Sequence, residues 1–282
     1  MPRTGFHLGL AEGHDKAVAY AVKCGCTAVQ IFTHSPRSFQ FKPLDNAAME
    51  RLRGYWKKHG ISPVVSHCTY LINLGSSDNK TFYGSLSMFR KELEYAAAHG
   101  CQYLVIHVGK YKDADLKTGM AQVAKAINKA RDDIIKYKVM VLLETVAGQG
   151  TEIGVKFEEL AELLAMMDAD LKQHIGVCVD TCHIFAAGYD YRDAKKADAV
   201  VKNLDRTVGL ERIKLIQVND SKGDLGSRLD RHEHLGQGKA GLDGLRAFLT
   251  HPKIKNIPMI LETPVDENGD QLSDLTALNK FF

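Results

Sequence analysis

The chain has no CxxC pair, no low-complexity segment, no recognisable linker and no apolar run approaching a membrane span. Each absence removes a class of protein. A transmembrane helix needs about 20 consecutive apolar residues, and none is expected here. The opening MPRTGFHLGL lacks the apolar core of a secretion signal. The six cysteines, Cys24, Cys26, Cys68, Cys101, Cys178 and Cys182, form no disulfide framework, and a chain of 282 residues does not need one. They read as reduced, mostly buried thiols, and the protein as cytoplasmic. A strong charge excess is missing too. The formal charge of +3 does not announce a nucleic-acid protein and merely permits one if the basic residues cluster. Finally, no GxGxxG follows the first apolar run, which speaks against a dinucleotide-binding doubly wound sheet.

What is present is an ordinary globular balance, 45% hydrophobic and 25% charged, arranged as an alternation. Short β-prone apolar runs occur at Gly5–Leu10, Ala28–Phe32, Ser62–Ser66, Gln102–Ile106, Val139–Leu143, Ile175–Val179, Ile213–Val218 and Ile257–Leu261. Amphipathic stretches separate them, at Asp15–Val22, Asn46–Lys58, Lys80–Ala98, Leu116–Tyr137, Phe157–Met167, Ala194–Val208 and Gly241–Leu249. A weaker pattern over Leu272–Phe282 offers a last helix. Eight strands alternating with helices, undivided by any linker, predict an α/β fold: a single (β/α)8 TIM barrel over residues 1–282.

The stretch GVCVDTCHIFAAGYD, from Gly176, shows how such a barrel is furnished. Its apolar run ends on Asp180, and His183 follows three positions later. The pair reads either as two ligands for a divalent metal or as a helix N-cap with a histidine in the first turn. Cys178 shares the Asp180 face by alternation and reads as a core thiol. The same event recurs along the chain. The first run contains His7, and the second leads into Thr33, His34 and Arg37. The third ends at His67, the fourth at His107, the fifth at Glu144 and the eighth at Glu262. The seventh carries Gln217, followed by Asn219, Asp220 and a long loop holding Asp230 and His232.

In a barrel all of these lie on the C-terminal rim, where barrel enzymes place their chemistry. Several carboxylates in one partly buried mouth repel unless cations sit among them. His67, His107, Glu144, Asp180, His183, Asp230, His232 and Glu262 make eight candidate ligands. A structural zinc site uses four, so eight imply a cluster of metals, an arrangement suited to phosphodiester cleavage.

The loops add charge and apolar tips. NDSKGDLGSRLDRHEHLGQG, from Asn219, carries Lys222, Arg228 and Arg231 beside Asp230 and His232. It reads as a solvated surface loop or as a segment that holds metal and touches phosphates together. THSPRSF and HCTYLINLG bring Arg37, Tyr70 and Leu71 to the mouth. Tyr70 and Leu71 suit either a wedge in a minor groove or packing beneath a helix.

Five segments together closely resemble endonuclease IV, the metal-dependent apurinic/apyrimidinic endonuclease of base-excision repair. They are HCTYLINLGS from His67, LETVAGQG from Leu143, GVCVDTCHIFAAGYD from Gly176, NDSKGDLGSRLDRHEHLGQG from Asn219 and LETP from Leu261. The resemblance implies a (β/α)8 barrel carrying up to three zinc ions. It implies that His67, His107 and Glu144 hold the first, that Glu144 bridges to a second shared with Asp180 and Glu262, and that His183, Asp230 and His232 hold the third. Glu144 and Glu262 are then the candidate catalytic carboxylates. The implied reaction is attack by a metal-bridging hydroxide on the phosphate 5′ to an abasic nucleotide in duplex DNA, leaving a 3′-hydroxyl and a 5′-deoxyribose phosphate. Arg37, Tyr70 and Leu71 match the positions that enter the minor groove. No partner beyond DNA is implied, and the chain is expected to act as a monomer.

One position departs from that family. Gln217, in LIQVND, stands where the family usually has a histidine ligand of the second zinc. A neutral amide oxygen is a poorer zinc ligand than imidazole, so either Gln217 ligates through its oxygen, or water replaces it, or the second site is weak and prefers manganese; a weakened second site with activity retained is expected. After the fourth run the chain reads HVGK where the family commonly has a proline after the histidine, and Lys110 is a guessed phosphate contact. Two other readings compete. A single-metal sugar isomerase or epimerase of the xylose-isomerase-like class would use Glu144, Asp180, Gln217 and Glu262, and lacks the histidine it needs. A non-catalytic DNA-binding relative would bind abasic duplex without incising it.

Overall fold

The computed structural model describes residues 1–265 and 271–282. From the N-terminus the elements run β1 (Thr4–Leu8), α1 (His14–Lys23), β2 (Val29–Ile31), α2 (Asn46–Lys58), β3 (Val64–His67), α3 (Asn79–His99) and β4 (Tyr103–Ile106). Then come α4 (Leu116–Lys129), α5 (Arg131–Tyr137), β5 (Met140–Glu144), α6 (Phe157–Ala165), β6 (Ile175–Asp180), α7 (Thr181–Ala186), α8 (Ala194–Thr207) and β7 (Ile213–Val218). The chain closes with β8 (Asp220–Ser221), β9 (His232–Glu233), α9 (Gly241–Leu249), β10 (Met259–Leu261) and α10 (Leu272–Asn279). The strands β1 to β7 and β10 form a closed parallel barrel in which β1 pairs with both β2 and β10. The remaining two make a small antiparallel hairpin inside the long loop after β7. Among the described residues, no helix is long and apolar enough to cross a membrane.

The expected alternation is therefore observed, with local differences. The single helix expected over residues 116–137 is two, because the chain turns at the fully buried Ala130 (φ −89°, ψ 7°). Helix α7 is the helix implied by reading Asp180 as an N-cap, although no amphipathic pattern marks it. Its six residues are all buried, so it has no polar face and no 3.6-residue period to read. As expected, His67, Glu144 and Asp180 are the last residues of their strands.

Two-residue alternation along the strands sends one set of side chains to the helices and the other into the barrel. The inward set forms an apolar layer of Ala28, Val65, Val105, Leu142, Cys178, Leu215 and Ile260. Gly5 takes the equivalent place on β1, where a Cβ would lie 1.7 Å from the Ala28 carbonyl oxygen. Two residues further along every strand the layer turns wholly polar: His7, Gln30, His67, His107, Glu144, Asp180, Gln217 and Glu262. The apolar layer is thus the floor of a polar mouth. Gln30, Glu144, Asp180 and Gln217 are fully buried in it.

Candidate metal centre

Glu144 is the hub. Its Oε2 lies 3.0 Å from His67 Nε2, and its Oε1 lies 3.2 Å from His107 Nε2 and 3.1 Å from His183 Nδ1. Asp180 is the N-cap that one reading of its sequence context gives, and its other oxygen faces a candidate ligand. Its Oδ1 caps α7 by accepting the His183 backbone N–H at 2.8 Å, while Oδ2 faces His232 Nε2 at 3.7 Å and accepts the Asn219 amide at 2.7 Å. Asp230 Oδ1 stands between two imidazoles, 3.2 Å from His183 Nε2 and 3.4 Å from His232 Nε2. Donor atoms come within 4.8 Å of one another in three groupings drawn from the expected ligands: His67–His107–Glu144, Glu144–Asp180–His183 and His183–Asp230–His232. A fourth, Asp180–Cys182–His232, would recruit a thiol. Burial holds that thiol up at about 12.

The imidazoles reveal what the centre is built to hold. His67 Nδ1 is 2.7 Å from the Cys68 carbonyl, His183 Nδ1 is 2.7 Å from the Thr145 carbonyl, and His232 Nδ1 is 3.2 Å from the Glu262 carbonyl. A carbonyl accepts only, so each of these nitrogens carries the proton. Each Nε2 is then left with a lone pair aimed at carboxylate oxygens, and His232 Nε2 is buried without a hydrogen-bond partner. Lone pair against carboxylate is repulsive unless a proton or a metal ion lies between them. With a proton the histidines must be charged. Burial opposes that on His67, but the hydrogen bond and charge of Glu144 outweigh it and hold the imidazole up at about 9. His183 is likewise held well above its ordinary value against burial, mainly by Asp180 and Asp230. Glu144 lies well below its own, because the imidazoles outweigh its burial. A divalent cation would take the place of these protons, and nitrogen with carboxylate oxygen is a donor set that zinc accepts. The residues fit metal.

Glu262 belongs to none of those groupings. Its Oε1 accepts from Gln30 Nε2 and lies 3.7 Å from His7 Nδ1, while Asn219 Oδ1 receives its backbone N–H at 3.0 Å. Burial raises its carboxyl, but the His7 hydrogen bond and the His67 charge prevail and hold it at about 2. Gln217 lies below it. The Gln217 Oε1 accepts the Cys178 thiol at 3.1 Å, and its Nε2 is 3.4 Å from Gln30 Oε1. A chain of neutral amides thus occupies this side of the mouth. Cys178 is fully buried, as expected of a core thiol.

Three residues support the ligands: Asn219 and Asp220 were expected on the rim, and Gln30 was not. Gln30 lies two positions beyond Ala28 on β2, so strand alternation alone would have found it. Asn219 touches Asp180 with its amide and Glu262 with its oxygen. Asp220 is fully buried and accepts backbone N–H groups from Ser221, Gly236, Gly238, Ala240 and Gly241 at 2.8, 3.0, 3.1, 3.1 and 3.3 Å. It gathers the ends of the loop that presents Asp230 and His232. Contacts this far apart in sequence leave no periodic trace.

The expected contact residues surround the mouth. Tyr70 is 67% exposed, and its ring lies 6.0 Å from that of His67 and 6.4 Å from that of His107. Leu71 is half-buried against the core, and both line a cleft that reaches His67, His107 and Asp230. Arg37, Lys222, Arg228 and Arg231 are exposed. Lys222 has Glu233 at 3.8 Å, Arg231 binds the Asp230 carbonyl at 2.6 Å, and Arg228 adopts left-handed backbone (φ 57°). Lys110, the guessed phosphate contact, pairs with Glu152 at 3.2 Å.

A family described as xylose isomerase-like TIM barrel matches residues 18–279. The probable endonuclease 4 of Methanoculleus marisnigri is 39% identical over 280 residues, covering 99% of each chain. That of Chloroflexus aggregans is 42% identical over 268 residues, covering 95% of this chain and 93% of its own. The chain belongs to the endonuclease IV family. The crystal structure of endonuclease IV from Thermus thermophilus superposes with a TM-score of 0.84 at 38% identity, covering 99% of this chain and 97% of that one. A D-psicose 3-epimerase also superposes, with a TM-score of 0.69 over 98% of this chain and 89% of its own, but at 16% identity it shares the fold alone.

Proposed function

We propose that this protein is a metal-dependent apurinic/apyrimidinic endonuclease that incises duplex DNA on the 5′ side of an abasic nucleotide, leaving a 3′-hydroxyl and a 5′-deoxyribose phosphate. The observation that carries the reading is the set of three imidazoles, each with one nitrogen fixed by a backbone carbonyl and the other facing shared carboxylates. A single-metal epimerase would leave His67, His107, His183, Asp230 and His232 without work.

His67, His107 and Glu144 would hold one zinc ion, and His183, Asp230 and His232 another. Glu144, Asp180 and Glu262 would hold a third between them. Divalent cations bound there would polarise the phosphate and neutralise its charge. The chain's own residues do the rest. Asn219 and the backbone carbonyls fix the orientation of the ligands. Glu144 and Glu262, the candidate catalytic carboxylates, stay ionised because neighbouring imidazoles outweigh their burial. Arg37, Tyr70 and Leu71 would enter the minor groove and hold the abasic sugar over the mouth, while Lys222, Arg228 and Arg231 would meet backbone phosphates. One barrel offers the whole site, so we infer action as a monomer.

The Gln217 amide makes the Glu144–Asp180–Glu262 site the weakest of the three, and manganese a better occupant of it than zinc, because an amide oxygen is a harder donor than imidazole. The deciding experiment is incubation with a labelled duplex carrying one abasic site, with and without a chelator. Single-strand incision 5′ to the site, abolished by prolonged chelation, is expected. Tight binding with no incision in the metal-loaded protein would refute the nuclease and leave a DNA-binding relative.

A further inference from the structure

Helix α3 buries a carboxylate that the metal centre does not use. Glu92 is fully buried, and His34 Nδ1 lies 3.5 Å from its Oε1. The same Oε1 accepts the Thr69 backbone N–H at 3.1 Å, and Oε2 accepts the Thr33 hydroxyl at 3.3 Å. Thr33 and His34 open the loop after β2, which carries Arg37. Thr69 immediately precedes Tyr70 and Leu71 in the loop after β3. The two loops are laced once more by the Thr69 hydroxyl, which donates to the Pro36 carbonyl next to Arg37. On the far side of the pair, His34 Nε2 meets the Ser38 carbonyl at 3.2 Å, and the His34 ring stacks on Phe41 with centroids 4.0 Å apart.

A buried carboxylate is costly. An apolar side chain of similar size would fill the space on α3, but it would strand the Thr69 N–H and the Thr33 hydroxyl. The carboxylate has two oxygens facing two loops, and no apolar side chain can bridge them. We propose that Glu92 is a positioning residue for DNA recognition: it clasps the β2–α2 and β3–α3 loops to one helix and so sets the spacing between Arg37 and the Tyr70–Leu71 pair. This rests on reading those three side chains as the duplex contacts.

The test is fluorescence anisotropy with metal-loaded protein and two labelled duplexes, one carrying a single reduced abasic site and one intact. Parent, Glu92→Gln, Glu92→Leu, Thr33→Val, Arg37→Ala and the Glu92→Leu/Arg37→Ala double variant are compared. Glu92→Leu is expected to weaken abasic-duplex binding about 10-fold or more, with the metal count per chain unchanged. Glu92→Gln, which keeps an acceptor oxygen, stays within about 3-fold of the parent. Arg37→Ala costs less in the Glu92→Leu background than in the parent, since it acts through the same contact. Thr33→Val removes one arm of the clasp without disturbing Glu92 and weakens binding by about 3-fold, which keeps the test usable if the Leu variant does not fold. Leu binding within about 2-fold of the parent, Gln as weak as Leu, a Thr33→Val variant equal to the parent, or an Arg37→Ala effect equal in both backgrounds would overturn the clasp. A parent that does not distinguish the two duplexes would instead overturn the reading beneath it.

Discussion

Replacing Asp220 by alanine should release a metal ion that the residue does not touch. Its two oxygens accept five backbone N–H groups, from Ser221, Gly236, Gly238, Ala240 and Gly241. A hydrogen bond to a charged acceptor contributes about 1.5–3 kcal/mol, so simple addition would give roughly 7–15 kcal/mol. That sum overshoots. Gly236 and Gly241 are not fully buried, and their amides regain water once the loop relaxes. A loss of about 3–5 kcal/mol is the realistic scale for removing the centre of a buried charged network. The loss falls on residues 219–241, the segment that presents Asp230 and His232. The barrel strands bearing His67, His107 and Glu144 do not depend on it. Elemental analysis after gel filtration should therefore find about one metal fewer per chain than in the parent, with the unfolding midpoint in urea lowered. Gly238→Ala should behave similarly, because its Cβ would lie 2.5 Å from Asp220 Oδ1 and 2.5 Å from the Ser221 carbonyl. A full metal complement and an unchanged midpoint in Asp220→Ala would refute the reasoning.

Gln217→His should raise the metal count per chain, since imidazole replaces an amide tied to Cys178 and Gln30; equal occupancy in variant and parent counts against a weakened site. Burial raises the Glu92 carboxyl from its ordinary 4.5 to about 7. Between those values the folded chain holds a proton that the unfolded chain has lost, so stability falls as pH rises through the window and is flat above it. At about 1.4 kcal/mol per pH unit the loss is on the order of 3 kcal/mol, and Glu92→Gln should abolish it. Urea unfolding of both proteins at pH 5 and pH 8 measures this, and an identical pH dependence would refute it. Gly5→Ala should cost about 3 kcal/mol or more, because a Cβ 1.7 Å from a backbone oxygen forces β1 away from β2; a thermal midpoint matching the parent would show that the barrel gives more easily than its close packing implies.

Alternating apolar runs and amphipathic stretches were enough to state the barrel, because its strands bury both faces and the helices around it bury only one. Once the barrel is granted, the rim follows from counting: His67, Glu144, Asp180 and Glu262 each end a run, two residues beyond an inward apolar side chain. What the sequence by itself determined was thus which residue types stand at the strand ends, and their number. Only the tertiary structure decided how they share the space. Asp180 caps α7 with one oxygen while the other faces His232, so the cap does not take up both of its oxygens. Helix α7 left no periodic signal, being buried all round. Asp220, Asn219 and Glu92 act through partners far along the chain, on groups brought together by closure of the barrel. Local pattern records which face of an element is buried; it cannot record which distant backbone amide a buried carboxylate will hold.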